Sequence, residues 1–272
     1  MSILEVKNVS KFFGGVKANV DISMSVKQGS IVGLIGPNGS GKTTLLGLFG
    51  GLLKPKNGRI TLSGIDLADM SPTQIARRLA IVPQETRLTF DYSVLQMTLM
   101  GRYPHLKRFE HEGLDDYKIA REALAATGIS QLEDRSYKTL SGGEKQRVVI
   151  ASALTQLWQL KDSQKPSPNE GLLLLDEPTA SLDIGYQLDI IKALLVLNEN
   201  HKTTLVISTH DLGLAARLSD EIIMIRHGRL LATGPTENTL TRETIRDLYD
   251  IEAEVHRNQE TGHLMVVPLA RK

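Results

Sequence analysis

The sequence predicts an α/β fold: a mixed, largely parallel core sheet, an antiparallel β subdomain at the N-terminal end and an inserted α-helical subdomain. Three patterns predict it. Short apolar runs at 31–35, 172–175, 204–208 and 222–225 read as strands buried on both faces, as in a parallel sheet. The first thirty residues alternate instead, with Leu4, Val6 and Val9, then Ile22, Met24 and Val26, the period of half-buried antiparallel strands. Between about 85 and 140 the strand–helix alternation gives way to helical spacing.

The elements follow in order. Gln28-Gly29 is a turn before the apolar run at 31–35, which leads directly into a glycine-rich loop. A helix over 42–50 is predicted by Leu45, Leu46 and Phe49, and a strand over 58–62 follows a Lys-Pro-Lys-Asn-Gly turn. Ser71-Pro72 opens a helix, Ser as N-cap and Pro in the first turn. Ile81-Val82 is a buried strand ending at Pro83-Gln84, and helices are predicted over 94–100 and 115–127. The segment 161–170, KDSQKPSPNE, is a polar, proline-bearing loop or insert. One helix is predicted over 236–248, and a hairpin over 251–268 turning near 260–263. In domain terms, 1–84 and 171–250 form the α/β core with its β subdomain, 85–170 the helical subdomain with a polar insert near 160–170, and 251–268 the hairpin.

Bulk properties exclude several classes. The 272 residues suffice for a sizeable core. A net charge of +1 provides no global field for nucleic acid or an acidic membrane. The absence of Cys excludes disulfides, thiolate metal sites and Cys nucleophiles. No apolar signal core follows the first charges, and no uncharged stretch approaches the roughly 18 apolar residues of a membrane span. A cytosolic or peripheral chain is expected, with any membrane work done by a partner.

The chemistry is carried by three strand ends and two glycine-rich segments. Gly36-Pro37-Asn38-Gly39-Ser40-Gly41-Lys42-Thr43 matches G-x-x-x-x-G-K-[ST] in full. It follows an apolar strand and opens a helix, the context in which backbone N–H groups and a helix N-terminus face phosphates. Lys42 supplies a charge to the terminal phosphates and Thr43 a hydroxyl to Mg²⁺. At 172–177 an apolar strand delivers two acids, Asp176 for Mg²⁺ and Glu177 to orient or deprotonate a water. His210 ends the run at 204–209 and is a candidate γ-phosphate contact. Gln84 can reach Mg²⁺ or water, and Phe13 can stack on a base. Downstream, Ser141-Gly142-Gly143-Glu144 offers a hydroxyl and N–H groups to a second anion. A chain that already binds phosphate in its own loop has little need of that site, so it is expected to serve the nucleotide of another copy.

The order aromatic, phosphate loop, glutamine, L-S-G-G-E, L-L-D-E, S-L-D and histidine resembles the ATP-binding cassette (ABC) ATPases, P-loop NTPases, over essentially the whole chain. The resemblance implies an active ATPase using ATP and Mg²⁺. Phe13 resembles the adenine-stacking aromatic, where many members carry Tyr. Residues 36–44, including Gly39, Gly41, Lys42, Thr43 and Thr44, resemble the phosphate loop. Gln84, with Thr43 and Asp176, resembles the Mg²⁺ set; Glu177 the catalytic base; His210 the switch histidine; Ser141, Gly142, Gly143 and Glu144 the signature; and Asp183 the dimer-contact aspartate. It further implies a head-to-tail homodimer, a two-copy membrane permease, a periplasmic or surface substrate-binding protein and no nucleic-acid partner. The location implied is the cytoplasmic side of the inner membrane, as a peripheral subunit.

A single cassette without a span resembles importer ATPases. Met100–His105 resembles a segment of iron-siderophore, haem and cobalamin uptake ATPases. Leu157-Trp158 followed by the polar loop resembles haem importers in particular, and cobalamin importers have a comparable insert. Haem ranks first, ferric siderophore second and cobalamin third. A soluble ATP-driven assembly or repair switch is the rival class. A GTPase is disfavoured by the lack of N-K-x-D, and a pure binding module by the intact Glu177.

Overall fold

The computed structural model describes residues 1–86, 89–160, 166–168, 171–180, 182–260 and 262–271. The strands are β1 Ser2–Phe13, β2 Val16–Lys27, β3 Ile31–Ile35, β4 Asn57–Leu62, β5 Ile65–Asp66, β6 Leu79–Val82, β7 Trp158–Leu160, β8 Pro166–Pro168, β9 Leu172–Asp176, β10 Thr204–Thr209, β11 Glu221–Arg226, β12 Arg229–Pro235, β13 Ile251–Arg257 and β14 Leu264–Arg271. The helices are α1 Lys42–Phe49, α2 Pro72–Ala76, α3 Val94–Leu99, α4 Leu114–Ala126, α5 Gly142–Leu157, α6 Ile184–His201, α7 Leu212–Leu218, α8 Thr236–Thr239 and α9 Arg242–Tyr249. Among the described residues no helix is long and apolar enough to cross a membrane. The chain forms two compact units, Met1–Met70 with Leu205–Lys272, and Ser71–Thr204.

In the first unit, β2-β1-β4-β5 is an antiparallel sheet with Leu4, Val6, Val9, Ile22, Val26, Ile60 and Leu62 buried. A second layer runs β12-β11-β3-β10. There β3 is parallel to both β10 and β11, and every residue of β3 and β10 is buried. That is why these strands read as unbroken apolar runs. The edge strand β12 escaped the sequence reading because alternating exposure and two glycine or proline positions blur it. It is joined to β11 by His227 and Gly228, both at positive φ (50° and 73°), the hairpin turn that fits the twist of its strands.

Two sequence expectations are corrected in this unit. The helix over 236–248 is two helices. Leu240 leaves the helical region, and Thr241 starts α9 with a capping box to Thr244. The hairpin strand expected to stop at 268 continues to Arg271, paired with Ile251. Part of its expected turn, 261, lies outside the described residues.

In the second unit β6 and β9 are parallel neighbours, and α5 is the central helix, burying Val148, Ile150, Ala151, Leu154 and Leu157. This unit is wider than the expected helical insert, since it takes in β6, β9 and α6. Of the expected polar insert, β7 and β8 form a short antiparallel pair; 161–165 and 169–170 lie outside the described residues. Ser71, Ser93 and Ser141 each start their helix with a capping box, a purely local S-x-x-Q/E signal.

Met100–His105 is a 3₁₀ segment held against the end of α5. Buried Arg102 bonds Asp116 at 2.7 Å and donates to the carbonyls of Thr155 (2.9 Å) and Trp158 (2.8 Å), at the C-terminal end of α5. A Cβ on Gly101 would lie 2.1 Å from the Ser152 carbonyl oxygen, so only glycine permits the approach. Arg102→Met is expected to cost about 3–5 kcal/mol, because Asp116 and two helix-end carbonyls lose a buried partner. A urea midpoint within error of the parent's would show that water replaces the guanidinium at no cost.

Candidate active site

The first unit carries the phosphate loop. β3 ends at Ile35 and α1 begins at Lys42. Between them the chain must turn sharply without Cβ atoms at two places. A Cβ on Gly36 would lie 2.2 Å from the Ile225 carbonyl oxygen, and one on Gly41, at φ 104°, would lie 2.5 Å from that of Ala18. Ser40 N–H closes a turn on the Pro37 carbonyl at 3.1 Å, while the Ser40 carbonyl accepts from Gly228 N–H at 3.0 Å. Gly228 thus braces the loop from the β11–β12 turn, a contribution sequence reasoning missed; its signal was the His-Gly pair between two strand-like runs.

Lys42 is buried, and its ammonium donates to the Gly36 carbonyl at 2.8 Å and to that of Pro37 at 3.4 Å. Ser40 Oγ is buried with no hydrogen-bond partner in the protein. The first turn of α1 contains no acid, and the first N–H groups of any helix lack intrahelical partners. An orphaned hydroxyl, a cradle closed to Cβ atoms, a buried cation and a helix start free of carboxylates fit a polyphosphate. Thr43 is exposed and Thr44 half-buried. Asn38 and Gly39 lie at the open rim of the loop.

Register brings His210 to the same end of the sheet. Thr209 pairs with Ile35, so His210 and Gly36 leave adjacent parallel strands together. His210 is exposed and precedes Asp211, which caps α7 through Gly213 and Leu214 N–H. Phe13, 47% exposed, ends β1, and the Lys11 ammonium lies 5.2 Å from its ring centroid. The ring is thus available for stacking rather than spent on the core.

The second unit carries the acids. Val82 pairs with Leu175, so Gln84 and Asp176 leave adjacent parallel strands at the same end. Asp176 is buried and Glu177 half-buried. Glu177 sits at φ 47°, a left-handed conformation that costs a non-glycine residue about 1–3 kcal/mol and recurs at functional sites. Its carbonyl accepts from Ala180 N–H at 3.0 Å, closing a turn immediately after the acid pair. Asp183 is exposed and is the N-cap of α6, accepting from Tyr186 N–H at 3.1 Å.

Ser141 is the N-cap of α5. Its Oγ accepts from Glu144 N–H (3.3 Å), and the Glu144 carboxylate accepts from Ser141 N–H (2.8 Å). These bonds, the backbone one foremost, hold the Glu144 carboxyl below the usual carboxylate range. Glu144 is therefore engaged with its own helix cap, and Gly142 is exposed at the helix start.

The expected Mg²⁺ residues, Thr43, Gln84 and Asp176, offer hydroxyl, amide and carboxylate oxygens, a donor chemistry that suits a hard cation sharing phosphate oxygens. Among the described residues no cluster of three His, Cys, Asp or Glu side chains forms an all-protein metal site.

Comparison with known proteins gives consistent likenesses. Residues 20–180 match the family model described as ABC transporter. The hemin import ATP-binding protein of Pseudomonas aeruginosa is 38% identical over 265 residues, 97% of this chain and 99% of that protein. The cobalamin import ATP-binding protein of Halobacterium salinarum is 38% identical over 267 residues, 98% of this chain; the chain spans 63% of that relative's length. A solved structure of an inward-facing, metal-chelate type ABC transporter matches with a TM-score of 0.83 at 27% identity, covering 99% of this chain and 98% of that one.

Proposed function

We propose, because this chain belongs to the ABC transporter family, that it is the ATP-hydrolysing subunit of an importer for an iron complex, haem first. The observation that carries the ATPase reading is the phosphate cradle, in which Gly36 and Gly41 exclude Cβ atoms around a buried Lys42. The cargo reading is supported by the hemin import relative, which this chain matches end to end. Cobalamin, third in the sequence ranking, moves ahead of ferric siderophore as the second reading, because a relative so named is equally identical.

In this reading Phe13 stacks on adenine, and the loop N–H groups and Lys42 hold the phosphates. Thr43, Gln84 and Asp176 would hold Mg²⁺, which when bound offsets phosphate charge. Glu177 accepts a proton from the attacking water on its carboxylate, and His210 donates a hydrogen bond to the γ-phosphate. The start of α5, Ser141 to Gly143, addresses the ATP held by a second copy, with Asp183 at the contact between copies. ATP thereby draws two copies together, and the motion is passed to a two-copy membrane permease. A substrate-binding protein outside the membrane delivers the cargo, and the cassette is peripheral on the cytoplasmic face.

Deleting the gene is expected to abolish growth on haem as sole iron source and to spare growth on ferric siderophore. The reverse pattern, or loss of cobalamin uptake alone, would reassign the cargo. A chain that stays soluble when membranes of its own host are sedimented would favour the permease-free switch.

A further inference from the structure

The signature segment is seated on the turn that follows the acid pair. Both belong to the second unit. A Cβ on Gly142 would lie 3.1 Å from Leu182 Cδ2, and one on Gly143 would lie 2.4 Å from Tyr186 Cδ1 and 2.6 Å from its Cγ. Gly143 does not occupy the positive-φ region. It must be glycine here because a phenol ring lies on its backbone.

The other side of this contact leads back to Glu177. Ala180 N–H donates to the Glu177 carbonyl, and Leu182 N–H to that of Thr179 at 3.3 Å. Gln187 Nε2 donates to the Leu182 carbonyl at 3.0 Å, and Asp183 caps Tyr186 N–H. Hydrogen bonds thus hold the chain just after Glu177 and again from Leu182 to Gln187, and the second of these stretches carries the ring against Gly143. One turn further along each helix, Arg147 and Asp189 approach to 4.0 Å.

We propose that Tyr186, assisted by Leu182, is a positioning residue that ties the signature segment of this chain to the Glu177 turn of the same chain. The proposal rests on the reading that Glu177 acts on the chain's own ATP while Ser141 to Gly143 address the ATP of a second copy. Atoms in van der Waals contact lose a quarter to a half of their attraction over a gap of about 0.5–1 Å. A shift at the Glu177 turn therefore moves the signature rather than opening a gap beneath it.

Tyr186 is half-buried and not part of the apolar core, so its truncation separates coupling from folding. The experiment uses the full chain in a Glu177→Gln background, with ATP-driven dimerisation followed by light scattering. Tyr186→Ala is expected to raise the ATP concentration for half-dimerisation about tenfold, a coupling of ordinary size for contacting residues. Affinity of the monomer for a fluorescent ATP analogue should not change, and Tyr186→Phe should restore parental dimerisation. Leu182→Ala, which strips the atoms facing Gly142, should shift dimerisation in the same direction and serves if Tyr186→Ala does not fold. Parental dimerisation in the alanine variants overturns the proposal. So does an equal loss of monomer affinity, which would place Tyr186 in the support of the chain's own ATP site. Failure of Glu177→Gln itself to dimerise with ATP would instead count against the proposed function.

Discussion

Glu177→Gln is expected to lower ATP turnover about 10²–10⁴-fold, the contribution of a positioned general base, while ATP binding is retained. Gln preserves the length of the side chain and its hydrogen-bonding shape but cannot accept the proton of the attacking water. The substitution leaves the local backbone unchanged in kind. Position 177 holds φ 47° with Ala180 N–H on its carbonyl, and Gln carries a similar left-handed cost to Glu. The variant should therefore fold, bind nucleotide and accumulate as an ATP-bound dimer. Phosphate release and light scattering together read the outcome. Unchanged turnover would remove Glu177 from the base role and leave the left-handed backbone there as a feature of the turn alone.

Ser141→Arg should depress turnover about 10²–10³-fold, the scale for losing a preorganised donor to developing charge, with nucleotide binding by the monomer intact. The Ser141 hydroxyl caps α5, so its loss should also cost about 1 kcal/mol of stability. That is too little to unfold a domain of ordinary stability. The larger effect is steric and electrostatic. A long cationic side chain would stand at an exposed helix start, where the proposed function seats the phosphates of a second copy. The phosphate loop lies in the other compact unit, with its own Lys42, Ser40 and Gly228 contacts. Loss of nucleotide binding by the monomer would mean that the segment serves its own loop.

Much of the candidate site is legible in sequence because its signals are local. Phosphate loops, capping boxes and apolar strands that end in acids each span a few consecutive residues. Ser71, expected from residue order as an N-cap, caps its helix in the structure, and the S-x-x-Q/E boxes at Ser93 and Ser141 are equally local. What was not legible depends on residues far apart in the chain. Nothing near Gly101 announces the Ser152 carbonyl that excludes a Cβ there, and nothing near Arg102 announces two carbonyls more than fifty residues away. Gly228 looks like a hairpin glycine, yet it braces Ser40. The break at Leu240 was hidden because Thr241, although a good N-cap, stands inside a continuous helical pattern.

The sequence by itself determined the kind of chemistry: which residue types face phosphate, magnesium and water, and that two glycine-rich segments exist where one nucleotide needs one. Those features follow from backbone and side-chain properties of neighbouring residues. Only the tertiary structure decided how the segments lean on one another. Register sets His210 beside Gly36 and brings Gln84 and Asp176 to the same end of neighbouring strands, and packing lays Tyr186 on Gly143. The physical reason is that close packing is a property of surfaces brought together from distant parts of the chain, and no residue's own chemistry specifies the atom that will touch it.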